Sequence, residues 1–257
     1  MKINLHCHTN YSDGDDIFEM AKEHQKHGFS AFVVTDHVYP LHLANDVKSG
    51  HPMSICSYEE FQHQTKRLKE IEQQLNFPCI QGMELALYGE EILVFGEQAT
   101  KEIFNFLERI DLAEQEKYSH IEAYRNKIVS KLIAILNKNK ENTAVILCHP
   151  QLLDEQLLNN LSPILDGYEF QNSGCYYFTD DTNSDKKRRI DMEIPPQLKC
   201  KNKFYNSDAH YVKMVSNCDG NYHASKIANL KDLISYIKTP AQQNINSMQF
   251  KPNLERM

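Results

Sequence analysis

The sequence predicts an α/β fold of parallel strands joined by crossover helices, and three observations carry that expectation. Seven short apolar runs, rich in β-branched and aromatic residues, recur at 2–6, 31–35, 79–83, 92–95, 144–148, 167–171 and 203–206. Each is followed by a helical pattern or a polar loop, the alternation from which parallel sheets are built. No internal repeat, low-complexity tract or linker interrupts the series. Seven such strands suggest a barrel rather than an open sheet.

The helical patterns fall at 16–27, 58–75, 101–107, 112–137, 152–160, 184–192 and 226–238. In 112–137, Ile121, Tyr124, Ile128, Leu132 and Ile135 recur at helical spacing, which predicts a long charged amphipathic helix. It reads as an ordinary barrel helix with an extended end, or as a partner-binding addition. A polar loop at 180–189 closes on Lys186, Lys187, Arg188 and Arg189. The segment 241–257 is rich in Gln and Asn and is expected to be loosely ordered. One domain spanning 1–257 is expected.

Composition narrows the function classes. The chain has 257 residues, 41% of them hydrophobic, enough for one sizeable core. Net charge is −7, which argues against a nucleic-acid partner, because that binding needs a basic footprint. No apolar run reaches the ~18 residues of a membrane span. No signal peptide is visible, since strand-like sequence starts at once. Seven scattered cysteines without a CxxC fit reduced thiols. A cytoplasmic location is expected.

The chemistry lies in where the histidines fall. His6 and His8 follow the first run, His37 the second, His149 the fifth and His210 the last. Asp13, Asp36, Glu84 and Asp208 stand beside them. In a barrel of parallel strands all those ends share one face. Imidazole and carboxylate donors without thiolates suit Zn, Mn or Fe at catalytic positions. His6 and His8 are two apart, so in extended chain both point the same way, and Asp208 with His210 repeats that spacing. Singly each is weak. A lone histidine at a strand end is usually just a hydrogen-bonding residue, Asp208 could be a helix cap and Asp13-Gly14 a plain turn. Asp36 reads better as an anchor orienting a neighbouring ring than as a ligand. The coincidence at five strand ends favours a metal site.

Leu5-His6-Cys7-His8-Thr9, Ser12-Asp13-Gly14, Thr35-Asp36-His37, Gly82-Met83-Glu84, Cys148-His149-Pro150 and Ser207-Asp208-Ala209-His210 resemble the motifs of the PHP (polymerase and histidinol phosphatase) domain, in the family's order. Asp166-Gly167-Tyr168-Glu169 and Asn172 resemble the segment before its last motif. The resemblance implies a distorted seven-stranded (β/α)7 barrel with two or three divalent metal ions. It implies that His6, His8, Glu84 and Asp208 hold one metal, that Asp13, His37 and His210 hold another, and that Glu84 and His149 share a third. Relatives with three metals usually add a histidine after the Gly-x-Glu motif. Here residues 88–96 contain none; Glu91 either substitutes or is a solvated turn residue.

The expected activity is hydrolysis of a small phosphorylated molecule, in the manner of a histidinol phosphatase, nucleotide phosphatase or phosphodiesterase, by attack of metal-bound hydroxide. His37 or His210, where not fully committed to metal, would protonate the leaving oxygen, with Asp36 as a supporting anchor. Arg188, Arg189 and His42 are the candidate substrate contacts, from loops that could cover the site; each could equally be a solvated surface residue. His51 is read with His42, as a surface residue that could touch substrate, while His24, His27, His63, His120 and His223 are expected to be non-functional. Three rivals remain: an amidohydrolase-type enzyme on the same metals, a nuclease whose grip a partner supplies, and a non-catalytic metal-binding scaffold. All but one of the expected ligand positions are filled, which counts against the scaffold.

Overall fold

The computed structural model describes residues 1–39, 54–87, 90–110, 122–150, 155–172, 195–218 and 220–240. Within them the order is β1 (Lys2–Ile3), α1 (Ile17–Lys26), β2 (Phe32–Val34), β3 (His37–Val38), α2 (Tyr58–Leu75), β4 (Cys79–Gln81), β5 (Met83–Ala86), β6 (Glu91–Phe95), α3 (Glu97–Leu107), α4 (Glu122–Lys138), β7 (Ala144–Leu147), α5 (Glu155–Leu161), β8 (Gly167–Asn172), β9 (Asn202–Asn206), β10 (Asn221–Tyr222) and α6 (Leu230–Lys238). The fold is α/β. No helix among the described residues is long and apolar enough to cross a membrane.

Six strands form one sheet in the order β3-β5-β6-β7-β8-β9, while β2 pairs with β4 and β1 with β10. The run 79–83 divides at Gly82, whose N–H still donates to the Val34 carbonyl at 2.8 Å. The β2–β4 pairing thus passes into β3–β5, where His37 stands opposite Glu84. A Cβ at Gly82 would lie 2.5 Å from the Phe95 ring, so the division needs a residue without one. Isolated bridges join Lys2 to Phe29 and Cys7 to Ala209.

Two expectations are corrected. The strands are not all parallel: β6 runs antiparallel to both β5 and β7. Only residues 87–90 separate β5 from β6, too few for a crossover, and the Leu87 N–H donates to the Glu90 carbonyl at 2.7 Å. Nor is the sheet a seven-stranded barrel closed by continuous ladders; ten short strands lie in three sheets among the described residues.

Helix ends follow their caps. Asp16 accepts from the backbone of Phe18 and Glu19 and starts α1. Ser57 caps α2 while Glu60 reaches back to the Cys56 N–H, a capping box displaced by one residue. The helix expected at 226–238 begins only at Leu230, because Asn229 accepts from the Asp232 N–H and Asp232 reaches back to Ala228. The helix expected at 101–107 begins earlier, at Glu97. Of the pattern at 112–137, Glu122–Lys138 is helical and 112–121 lies outside the described residues. The helix expected at 184–192 and the tail 241–257 also lie outside them.

Alternation along the strands sorts side chains into layers. On β6, Val94 packs with α3 and α4 through Ile103, Phe104, Ile128 and Leu132. Its neighbours Leu93 and Phe95 join Ile3, Leu5, Val33, Ile80, Ile146 and Phe204, a cluster drawn from strands of all three sheets. Met20, Leu68 and Ile71 of α1 and α2 cover Phe32 and Val34 of β2. Each fully buried side chain contributes roughly 1.5–3 kcal/mol.

Gly14 fixes the loop that follows β1. A Cβ there would sit 2.6 Å from the backbone carbonyl of His8 and 2.7 Å from the Thr9 nitrogen, atoms that cannot swing aside. Gly14→Ala is therefore expected to destabilise the protein by about 2 kcal/mol, read as a lower urea midpoint. An unchanged midpoint would contradict that packing.

Candidate metal centre

Beyond Ile3 the chain stays extended through His6, Cys7 and His8. Cys7 bridges to Ala209, so the two histidines fall on the opposite side from it, with their Nε2 atoms 3.0 Å apart. The Cys7–Ala209 bridge brings Asp208 and His210 alongside. Asp208 has φ of 51°, a left-handed conformation that aspartate tolerates better than most residues. Its Oδ1 lies 3.3 Å from His6 Nε2 and 3.1 Å from His8 Nε2. His149 has φ of 23°, a rarer conformation that turns its ring inwards.

Glu84 is the centre of the group. It is 1% exposed, and His6, His8, His37 and His149 each place a ring nitrogen 2.7–3.3 Å from its carboxylate. Asp13 lies 3.5 Å from His37 and 3.4 Å from His210. The His8 ring stacks on His37 at 4.1 Å and on His210 at 4.2 Å.

This arrangement fits divalent cations. Neither Glu84 oxygen nor Nδ1 of His8 or His37 has a well-aligned hydrogen bond among the described residues, although all are buried and ring nitrogens crowd the carboxylate. Buried polar atoms left so cost about 1–3 kcal/mol each, a cost that coordination removes. Among the described residues, donor atoms gather within 4.8 Å in four sets: His8, Asp13, His37 and His210; His6, His8 and Asp208; His37, Glu84 and Glu91; His6, Cys148, His149 and Glu169. The structure thus brings together all eight histidines and acids expected as ligands, with Glu91 beside them. It differs in grouping, since His8 stands with Asp13 and His37 as well as with His6. It also adds a sulfur, Cys148, whose thiol burial and the nearby Glu84 push well above its usual pKa.

Electrostatics follow from burial against carboxylates. Burial lowers the His6 pKa, but Glu84, Asp208 and Glu169 outweigh it and hold it well above the usual value. His8 goes the other way: burial, with His37 beside it, pushes it down to about 4. Burial raises Asp208, yet His6 and His8 hold its carboxyl well below the usual range. Glu91 is pushed up to about 6 by burial and by Glu84.

Asp36 does not touch a ring. Its carboxylate accepts from the Thr9 N–H at 2.6 Å, the Thr9 and Ser12 hydroxyls and the Gln64 amide. It anchors the loop carrying Asp13 rather than orienting an imidazole. Glu169 does what was expected of Asp36. It lies 2.8 Å from His6 Nδ1 and accepts from the His149 N–H at 3.1 Å and from Asn172 and Asn206, each at 2.8 Å. Asn4 accepts from Ser207 N–H at 3.0 Å and donates to the Ser207 hydroxyl and to His24 Nε2, tying β1 to the Asp208 turn. Glu169 was visible in the Asp166–Glu169 motif but had no assigned role; Asn4 and Gln64 carried no signal.

His42, Arg188 and Arg189 lie outside the described residues, as do His51 and His120. His27 pairs with Glu23, His63 with Tyr11, and His223 with Ser30, away from the cluster.

The model of the PHP domain family matches residues 4–165, well over half of the chain. A search of curated proteins returns no match. Among solved structures, a protein from Bifidobacterium adolescentis ATCC 15703, provisionally named a metal-dependent phosphoesterase, is 15% identical with a TM-score of 0.44, covering 91% of this chain and 95% of that one. A two-domain protein from Bacteroides vulgatus ATCC 8482, containing a predicted PHP-like metal-dependent phosphoesterase, is 15% identical with a TM-score of 0.49. That likeness covers 84% of this chain and 54% of the longer protein, so the chain spans about half its length.

Proposed function

This chain belongs to the PHP domain family, and from that membership we propose that it is a metal-dependent phosphoesterase acting on a small phosphorylated molecule. The observation that carries the reading is Glu84, buried with four imidazole nitrogens 2.7–3.3 Å from its carboxylate and neither oxygen in a well-aligned hydrogen bond. A carboxylate so placed is suited to share cations. We assign His6, His8, Glu84 and Asp208 to one cation, Asp13, His37 and His210 to a second, and Glu84 with His149 to a third. Zn, Mn and Fe all suit this donor set. The cluster with strands from all three sheets supports one domain whose strands enclose a barrel-like core. The thiols of Cys7, Cys79, Cys148 and Cys200 fit the reducing, cytoplasmic setting that we infer.

Bound cations would supply acidity towards water and neutralise charge on phosphoryl oxygens. The chain's own residues do the rest. Glu169 and the Asp208 carbonyl fix the rings of His6 and His210 through their Nδ1 atoms. Asp36 holds the Thr9–Ser12 turn and so sets Asp13. Proton delivery to the leaving oxygen falls to His210 or His37 only where that ring is not committed to its cation. His210 is the more open, 21% exposed against 9% for His37.

The test is a panel of phosphomonoesters and diesters. Inorganic phosphate release from a monoester, or a new monoester from a diester, is expected to disappear on chelation and return with Mn(II) or Zn(II). Release of ammonia or a carboxylate from other substrates would assign amidohydrolase chemistry instead. Metal-loaded protein inert to the whole panel would overturn the reading.

A further inference from the structure

We propose that Glu91 is a cation ligand, and that with Glu84 it makes the edge of the cluster beside β6 an oxygen-rich subsite for a hard divalent ion such as Mn(II) or Mg(II). The inference rests on the metal-site reading above and says which ion that part of it takes.

The antiparallel course of β6 is what brings Glu91 there. On parallel strands the site lies past the carboxyl ends; on an antiparallel neighbour the same face meets the first residue. Glu91 is that residue, and its register partner is Ala86, two along from Glu84. Alternate residues share a face, so the two glutamates lie on the same side of the sheet. Glu91 is no turn residue: its carbonyl accepts from the Cys148 N–H at 2.9 Å, and its side chain is 27% exposed. Oxygens of Glu84 and Glu91 and a nitrogen of His37 lie within 4.8 Å of one another. The ring of His149 is 3.7 Å from Glu91 and 3.2 Å from Glu84.

Two carboxylates at that separation repel unless something positive lies between them. Among the described residues no lysine or arginine pairs with either glutamate; what faces them is imidazole, with His37 2.7 Å from Glu84 and His149 between the two, and an ion held by the carboxylates takes the place of protons on these rings. Carboxylate oxygens favour Mn and Mg, whereas imidazoles suit Zn. The subsite is therefore harder in donor character than the set formed by His8, Asp13, His37 and His210.

The experiment strips the full chain with a chelator and titrates it with Mn(II) alone and with Zn(II) alone. Bound metal is measured by equilibrium dialysis with elemental analysis, and Mn(II) also by electron paramagnetic resonance. Glu91→Gln, which keeps the shape, is expected to weaken one Mn(II) equivalent by 10–100-fold, in the range expected for losing a supporting group. Glu91→Asp is expected to retain it in part. Glu91→His is expected to shift that equivalent at least 10-fold towards Zn(II). Variants that bind the same equivalents of both metals in the same order as wild type overturn this inference alone and leave the phosphoesterase reading standing. Wild type that takes up neither ion overturns both. Should Glu91→Gln fail to fold, the His and Asp variants decide by the same readout.

Discussion

Glu84→Gln is expected to remove hydrolysis, by roughly 10³-fold or more, and to lower metal content with it. The carboxylate has four imidazole nitrogens within 2.7–3.3 Å, drawn from three separate stretches of chain. A glutamine keeps the volume but has no charge and offers one oxygen where two are present. A cation shared between Glu84 and neighbouring rings then loses a ligand on each side. Elemental analysis of the purified variant, beside phosphate release under saturating Mn(II), is the measurement. Full metal content with activity within tenfold of wild type would remove Glu84 from the centre of the site.

The second large effect is expected at Glu169, which touches no substrate in this reading. Its Oε1 faces His6 Nδ1 and the Asn206 amide; its Oε2 faces the His149 N–H and the Asn172 amide. All four partners present hydrogens, so the acceptor capacity is fully used. In Glu169→Gln, either amide orientation points an NH2 group at two donors. With the residue 1% exposed, water cannot repair the mismatch. A destabilisation of about 3 kcal/mol follows from leaving buried donors unsatisfied. Metal affinity is expected to fall 10–100-fold, because His6 loses the group that fixes its ring and raises its basicity. Calorimetric metal titration separates the two effects, since a purely structural role would lower the unfolding midpoint and leave the affinity of the folded fraction unchanged.

The candidate ligand residues were legible because they are local patterns. His6 and His8 are two apart on extended chain, and Asp208 and His210 repeat that spacing, so each pair announces a shared side. Glu169 and Asn4 were not legible as supports. Glu169 is a single polar residue inside β8 and Asn4 one just past the end of β1, and their partners are 163 and 203 positions away. Asp36 was misread for the same reason: its neighbour in sequence is His37, but its neighbours in space are Thr9, Ser12 and Gln64. The direction of β6 could have been read. An apolar run says nothing about which way a strand travels, but the short gap at 87–90 does.

The sequence by itself determined the donor types, their local pairs and the α/β class, because these depend on residue identity and on periods of two or about 3.6 residues. The tertiary structure alone decided which donors meet. His37 faces Glu84 through β3–β5 register, and Glu91 reaches the same face because β6 reverses. Register and strand direction are settled by packing across whole sheets, where a shift of one residue would turn each of these side chains to the other face.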